Sequence, residues 1–171
     1  MIRTLVKLAV GIALLMLVAV GASAALDAPS RTATTETIVD APREVVWNVL
    51  MDFEAYGEWN PLMPSVEGTA EVGKTLDIHL TPPGGPDRDL EAKVYVFKPP
   101  RKLRWQSRLL VPGLRDLEYE VIVAPLGPNR AEVTQRARYE GLLVLVSDTG
   151  STTAGLESMA AALERRAEES R

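Results

Sequence analysis

Cysteine is absent from the chain. That excludes disulfides, thiolate catalysis, cysteine-ligated zinc and lipid attachment through cysteine. It does not fix the redox compartment, because a well-built core needs no disulfide. Histidine is nearly absent, with His79 alone in the chain. Metal sites built on two or more histidines are therefore excluded, and a Ser–His triad has little to draw on. No GxGxxG, Walker A, GxSxG or HExxH run occurs. A basic excess is missing too. The 171 residues carry a net charge of −4, and without Arg3 and Lys7 of the front segment 17 basic residues face 23 acidic ones. Nucleic-acid binding wants a basic face, so no nucleic-acid partner is expected. What is present is aliphatic: 46% of residues are hydrophobic and 25% charged, the balance of a folded domain rather than a disordered chain. The length suits one domain.

The front end has its own composition. Arg3 and Lys7 precede an unbroken apolar run, Leu8 to Val20, and Ala22-Ser23-Ala24 fits a signal-peptidase site. The uncharged stretch continues to Leu26, so residues 8–26 come close to the roughly 20 needed to span a bilayer. Residues 1–24 thus read either as a cleaved signal peptide or as an uncleaved membrane anchor. Either reading exports the rest of the chain, to a periplasmic or extracellular location, with the basic end inside. Residues 25–35, rich in Ala, Ser and Thr, read as a linker before a domain over 36–171.

Thr37-Ile38-Val39 is β-favouring. Asp40 then offers an N-cap, Pro42 suits a first turn and Glu44 adds negative charge near a helix start. Val45, Val46, Val49, Leu50 and Phe53 recur at helical spacing, for about three turns. Glu54 to Gly68, EAYGEWNPLMPSVEG, is too broken for a helix and too irregular for a strand. From Leu76 the period becomes two. Alternating runs around 76–80, 90–96, 103–109, 117–123 and 133–139 are separated by turn clusters such as Pro82–Asp89 and Lys98–Arg101. These are successive antiparallel hairpins. Pairing sums of 256 and 224 set Glu118 opposite Arg138, Glu120 opposite Arg136, Arg104 opposite Glu120 and Arg108 opposite Asp116. One face is then complementary in charge across three strands and reads as the solvated side. Gly141 to Val146 either ends the sheet or leads into a helix. That helix runs from about Ser151 to Glu168, capped by Asp148 or Ser151, with Leu156, Met159, Ala160, Leu163 and Ala167 as its apolar stripe.

The stretches TIVDAPREVVWNVLMDFEAYGEWNP, VGKTL, PPRKLRW, AEVTQRARYEGLL and GLESMAAALERRAEE, in that order, resemble the START-like superfamily. This superfamily is also called SRPBCC, or polyketide cyclase/dehydrase and lipid-transport proteins. The resemblance covers roughly Glu36 to Glu169. It implies an α+β helix-grip fold, in which a curved antiparallel sheet wraps a long C-terminal helix and leaves a cavity for lipids, sterols, polyketides or other apolar molecules.

On that fold Trp59, Leu62 and Met63 are expected at the cavity mouth, although Trp59 could instead plug the core beneath its loop. The inner rows give the expected wall: Val94, Trp105, Ser107, Tyr119, Gln135 and Tyr139 from the sheet, Met159 and Leu163 from the helix. Smaller wall positions include Ala92 and Ala137. The wall is apolar with few polar groups, as suits a small hydrophobic ligand. An inward Gln135 needs partners, from a ligand, a tyrosine or water. The expected function is a non-catalytic, exported binding protein for a hydrophobic small molecule, without cofactor or metal, touching a membrane if the front helix is retained. The alternative is a cyclase-, dehydratase- or hydrolase-like enzyme using Tyr119, Tyr139 or His79. A third reading is an interaction module whose cavity is filled by its own side chains.

Overall fold

The computed structural model describes residues 29–108, 115–146 and 150–171. The front segment read as signal peptide or anchor lies outside the described residues, as does Asp148. Among the described residues no helix is long and apolar enough to cross a membrane.

The first strand, β1, is Ser30–Val39. It starts well before the expected Thr37, so residues 30–35 are strand rather than linker. Thr32, Thr34, Thr35 and Thr37 favour the extended chain. Pairing with the last strand along the whole length, from Ser30 opposite Glu140 to Val39 opposite Ala131, satisfies the backbone groups that face that strand. Helix α1, Arg43–Met51, begins after Pro42 and buries Val46, Trp47 and Leu50. Asp40 is not its cap. The Asp40 carboxylate pairs with Arg130 at 3.0 Å, and its backbone N–H donates to Glu168 Oε1.

The broken stretch after α1 is more ordered than its composition suggests. A 3₁₀ turn, Phe53–Ala55, leads to the single-turn helix α2, Tyr56–Trp59, and Ser65–Gly68 is an edge strand, β2. Tyr56 reaches back to donate its O–H to the Leu50 carbonyl at 2.7 Å, in the core. Asn60 is extended (φ −92°, ψ 102°), as a residue before proline prefers. Its Oδ1 accepts from the N–H groups of Leu62 (3.1 Å) and Met63 (3.0 Å). Gly68 has φ 111°, and a Cβ there would meet the Thr75 carbonyl oxygen at 2.7 Å, so only glycine fits that turn.

The remaining strands are β3 Thr75–Leu80, β4 Arg88–Lys98, β5 Lys102–Arg108, β6 Asp116–Gly127 and β7 Arg130–Glu140. They form one antiparallel seven-stranded sheet in the order β1-β7-β6-β5-β4-β3-β2. Both expected registers hold: Glu118 lies opposite Arg138 and Arg104 opposite Glu120. The ion pairs on this face run partly on the diagonals. Arg104 reaches Glu118 at 3.8 Å, Lys102 and Arg136 share Glu120, and Arg138 turns along its own strand to Glu140. A bulge between Val94 and Val96 moves the next inward position from Val96 to Phe97, which packs against Trp47. His79 is on the outer row, with Nδ1 2.6 Å from Asp89 Oδ1.

A 3₁₀ segment, Leu142–Val146, follows β7, and helix α3 spans Gly150–Glu169. Ser151 is therefore inside its first turn. Leu156, Met159, Ala160, Leu163 and Ala167 are all buried, as the stripe requires. Gly155 lets the loop after α2 approach closely, since a Cβ there would meet Leu62 Cδ1 at 2.6 Å.

Candidate ligand chamber and its mouth

Between the inner face of the sheet and α3 lies a small chamber. Its walls are Leu62 and Met63 from the α2 loop, Trp105 and Tyr119 from β5 and β6, and Ala137 and Leu156. Leu80, Pro82 and Thr152 complete it toward one end. The free volume is about 30 Å³, on the order of one or two water molecules. A second void of about 10 Å³ lies deeper, among Leu50, Tyr56, Leu103 and Val121. Trp105 and Tyr119 divide the interior, stacked with ring centroids 5.1 Å apart. In this state the interior is nearly filled.

Arg88, Leu117 and Tyr139 line the chamber and also a wider groove of about 340 Å³ outside it. Leu90, Ser107 and Arg115 add to this mouth, as do Asp89, Glu91 and Arg108. Tyr139 is the hinge of the polar contacts. Its hydroxyl shares a hydrogen bond with Thr152 Oγ1 at 3.1 Å and accepts from Arg88 Nη2 at 3.5 Å. The Arg115 guanidinium lies 5.2 Å over its ring, within cation–π range.

Deeper in, Tyr119 donates its O–H to Gln135 Oε1 at 2.9 Å and lies 3.9 Å from Met159 Sδ. Burial pushes the Tyr119 phenol well above its ordinary value, and it does the same to Tyr56. Both are neutral donors rather than bases at any ordinary pH. Among the described residues Gln135 Nε2 has no hydrogen-bond partner, and neither has Thr35 Oγ1 on the neighbouring strand. The two residues are opposite each other in the β1–β7 register.

The expected site residues divide into three groups. Leu62, Met63, Trp105, Tyr119 and Tyr139 line the chamber, and Ser107 lines the mouth. Val94, Gln135, Met159 and Leu163 are fully buried around it. Trp59 is elsewhere. It packs edge-on against Tyr56 at 5.1 Å and borders a groove of about 250 Å³ with Val45, Val49 and Arg166. The single turn of α2 sends Tyr56 inward and leaves Trp59 half-buried against the core beneath its loop, away from the chamber lining. The mouth residues Arg88 and Arg115 were not expected from sequence. Their signal is parity: Arg88 is two residues before Leu90 and Arg115 two before Leu117, on the inward rows.

The model of the family described as polyketide cyclase / dehydrase and lipid transport matches residues 30–170. No curated protein matches the sequence. Among solved structures, a START superfamily protein from Mycobacterium smegmatis superposes with a TM-score of 0.64 at 23% identity, covering 81% of this chain and 97% of that one. Zhui aromatase/cyclase from Streptomyces sp. R1128 gives 0.61 at 18% identity, over 81% and 96%. Norcoclaurine synthase from Thalictrum flavum, in complex with dopamine and hydroxybenzaldehyde, gives 0.62 at 16% identity, over 84% and 90%. These likenesses establish a shared fold. With its curved antiparallel sheet closed over a long C-terminal helix, and the family match running through nearly all of that domain, the chain belongs to the START-like polyketide cyclase/dehydrase and lipid-transport family.

Proposed function

We propose that this protein is a non-catalytic binding protein for a small hydrophobic molecule, held between the sheet and α3 and admitted through the mouth at Arg88, Ser107 and Tyr139. One observation carries this reading. The chamber wall is apolar apart from Arg88, Thr152 and two tyrosines, and Arg88, Leu117 and Tyr139 line both it and the mouth groove. Among the described residues no carboxylate, lysine or histidine lines the chamber, so none of them offers an ordinary general base. The free volume at rest is too small for a lipid. Entry therefore requires the interior to widen; the loop with Leu62 and Met63, packed on Gly155, is one wall that can give, and Met63 supplies an adaptable surface. The START-like family supports the ligand class, since its description includes lipid transport.

The test is the native-state mass of the protein purified gently from its producing cells, followed by solvent extraction. A stoichiometric hydrophobic molecule that disappears in a Leu156→Trp variant supports the reading. A clean mass from cells and from lipid-supplemented medium counts against it.

A second reading, an enzyme of the cyclase or dehydratase kind, is favoured by one feature: Arg88, Tyr139 and Thr152 converge at the mouth, where they could polarise a substrate carbonyl. Turnover of a bound polyketide-like molecule, lost in Tyr139→Phe while binding persists, would decide for it. We also propose export, from the basic, apolar and Ala-x-Ala order of residues 1–24. Cell fractionation, with an intact mass of the mature chain, tests it and shows whether cleavage follows Ala24.

A further inference from the structure

On the outer face Lys102, Arg104, Arg108, Arg136 and Arg138 each have a carboxylate within 4.0 Å. Arg88 and Arg115 differ. Among the described residues neither has a carboxylate partner, and what they touch is Tyr139: its hydroxyl for Arg88, its ring face for Arg115. Both are only partly exposed, and both flank the opening of the apolar chamber. Asp89 and Glu91 line the same groove, yet among the described residues no ion pair joins either to Arg88 or Arg115. Asp89 is held against His79 at 2.6 Å, and Asp89 and Glu91 belong by strand alternation to the outer row of β4, opposite in facing to Arg88 and Leu90.

Two guanidiniums that find no carboxylate partner among the described residues, beside an apolar hole, suit one kind of molecule. Arginine forks suit carboxylate and phosphate oxygens, and they do so best where water is partly excluded. Resting on the carrier reading above, we propose that the ligand is an amphiphile with a single anionic head. Arg88 and Arg115 clasp the head at the mouth, and the apolar body enters the chamber past Leu117 and Tyr139. Ser107 at the same rim can donate a further hydrogen bond to the head. A carboxylate and a phosphate head share this chemistry, and the assay separates them.

The experiment is calorimetric titration of the full chain with decanoate, decyl phosphate and 1-decanol at pH 8, at low and high salt. The structure predicts that at least one anionic amphiphile binds about tenfold or more tighter than the alcohol, with an advantage that shrinks as salt rises. Whichever anion binds tighter names the head. Arg88→Gln with Arg115→Gln should bring the anions down to the alcohol's affinity, while Arg88→Lys with Arg115→Lys keeps part of the preference. Melting curves confirm that each variant is folded. Equal binding of acid and alcohol overturns the anionic-head proposal and leaves the carrier reading standing. So does a preference that survives the double glutamine variant, because it places the head elsewhere. No binding by any of the three overturns both.

Discussion

Asn60 organises the chamber's covering loop through two hydrogen bonds from one oxygen. It is buried, and its Oδ1 is the acceptor for the backbone N–H groups of Leu62 and Met63. Asn60→Ala strands both donors, and we expect a loss of about 2–6 kcal/mol at roughly 1–3 kcal/mol per buried group left unpaired. Urea denaturation measures it. Asn60→Asp keeps the acceptor and should cost less. The buried phenols give a pH prediction. Tyr56 and Tyr119 have folded values raised above the ordinary 10.0, chiefly by burial. The unfolded chain releases these protons near pH 10 and the folded chain holds them. Their contribution is therefore complete below about pH 10 and falls as pH rises beyond it. Tyr119→Phe should make the alkaline decline shallower, by up to about 1.4 kcal/mol per pH unit where the unfolded phenol is fully ionised, as read by melting between pH 9.5 and 11. At this scale the sequence showed the inward tyrosines and Gln135 by parity alone. It did not show that Trp59 turns away, because one helical turn at α2 reverses the sense of a stretch whose composition looks irregular.

At the scale of elements, alternation in the strands and the 3.6 period in α3 were strong enough to give both hairpin registers and the buried stripe. Complementary charges made those registers checkable, since a slip by one residue would set the charged row against the core. The opening strand was not legible before Thr37. Its first half is a row of threonines and alanine, and only pairing with β7 makes it a strand. The bulge at Val94 was hidden for a similar reason: an unbroken Val-Tyr-Val-Phe run has no mark for the extra residue. The contact of α3 with the covering loop is the element to probe. Gly155→Val drives a side chain into Leu62, and overpacking of this kind costs about 1–3 kcal/mol. We expect lower stability together with faster uptake of hydrophobic ligands, because the loop is pushed toward its open position. A stopped-flow comparison with the wild type reads the rate. Unchanged uptake with reduced stability would mean that the loop is not the gate.

For the whole molecule, the fold class followed from the order of its elements and the resemblance they carry, while the size of the chamber did not. Side-chain volume along an inner row does not tell whether the row faces a ligand or a neighbour, and here Trp105 and Tyr119 stack through the centre and leave little space. The account therefore depends on the interior opening. The most direct measurement is titration with a neutral hydrophobic fluorophore, N-phenyl-1-naphthylamine. The wild type would be set beside two variants that reduce the chamber, Leu156→Trp and Ala137→Val, each checked by melting. The account predicts saturable uptake near one equivalent by the wild type, weakened about tenfold or more in the folded variants. No uptake by the wild type, or equal uptake by all three, would contradict it and leave a domain whose core is closed by its own side chains.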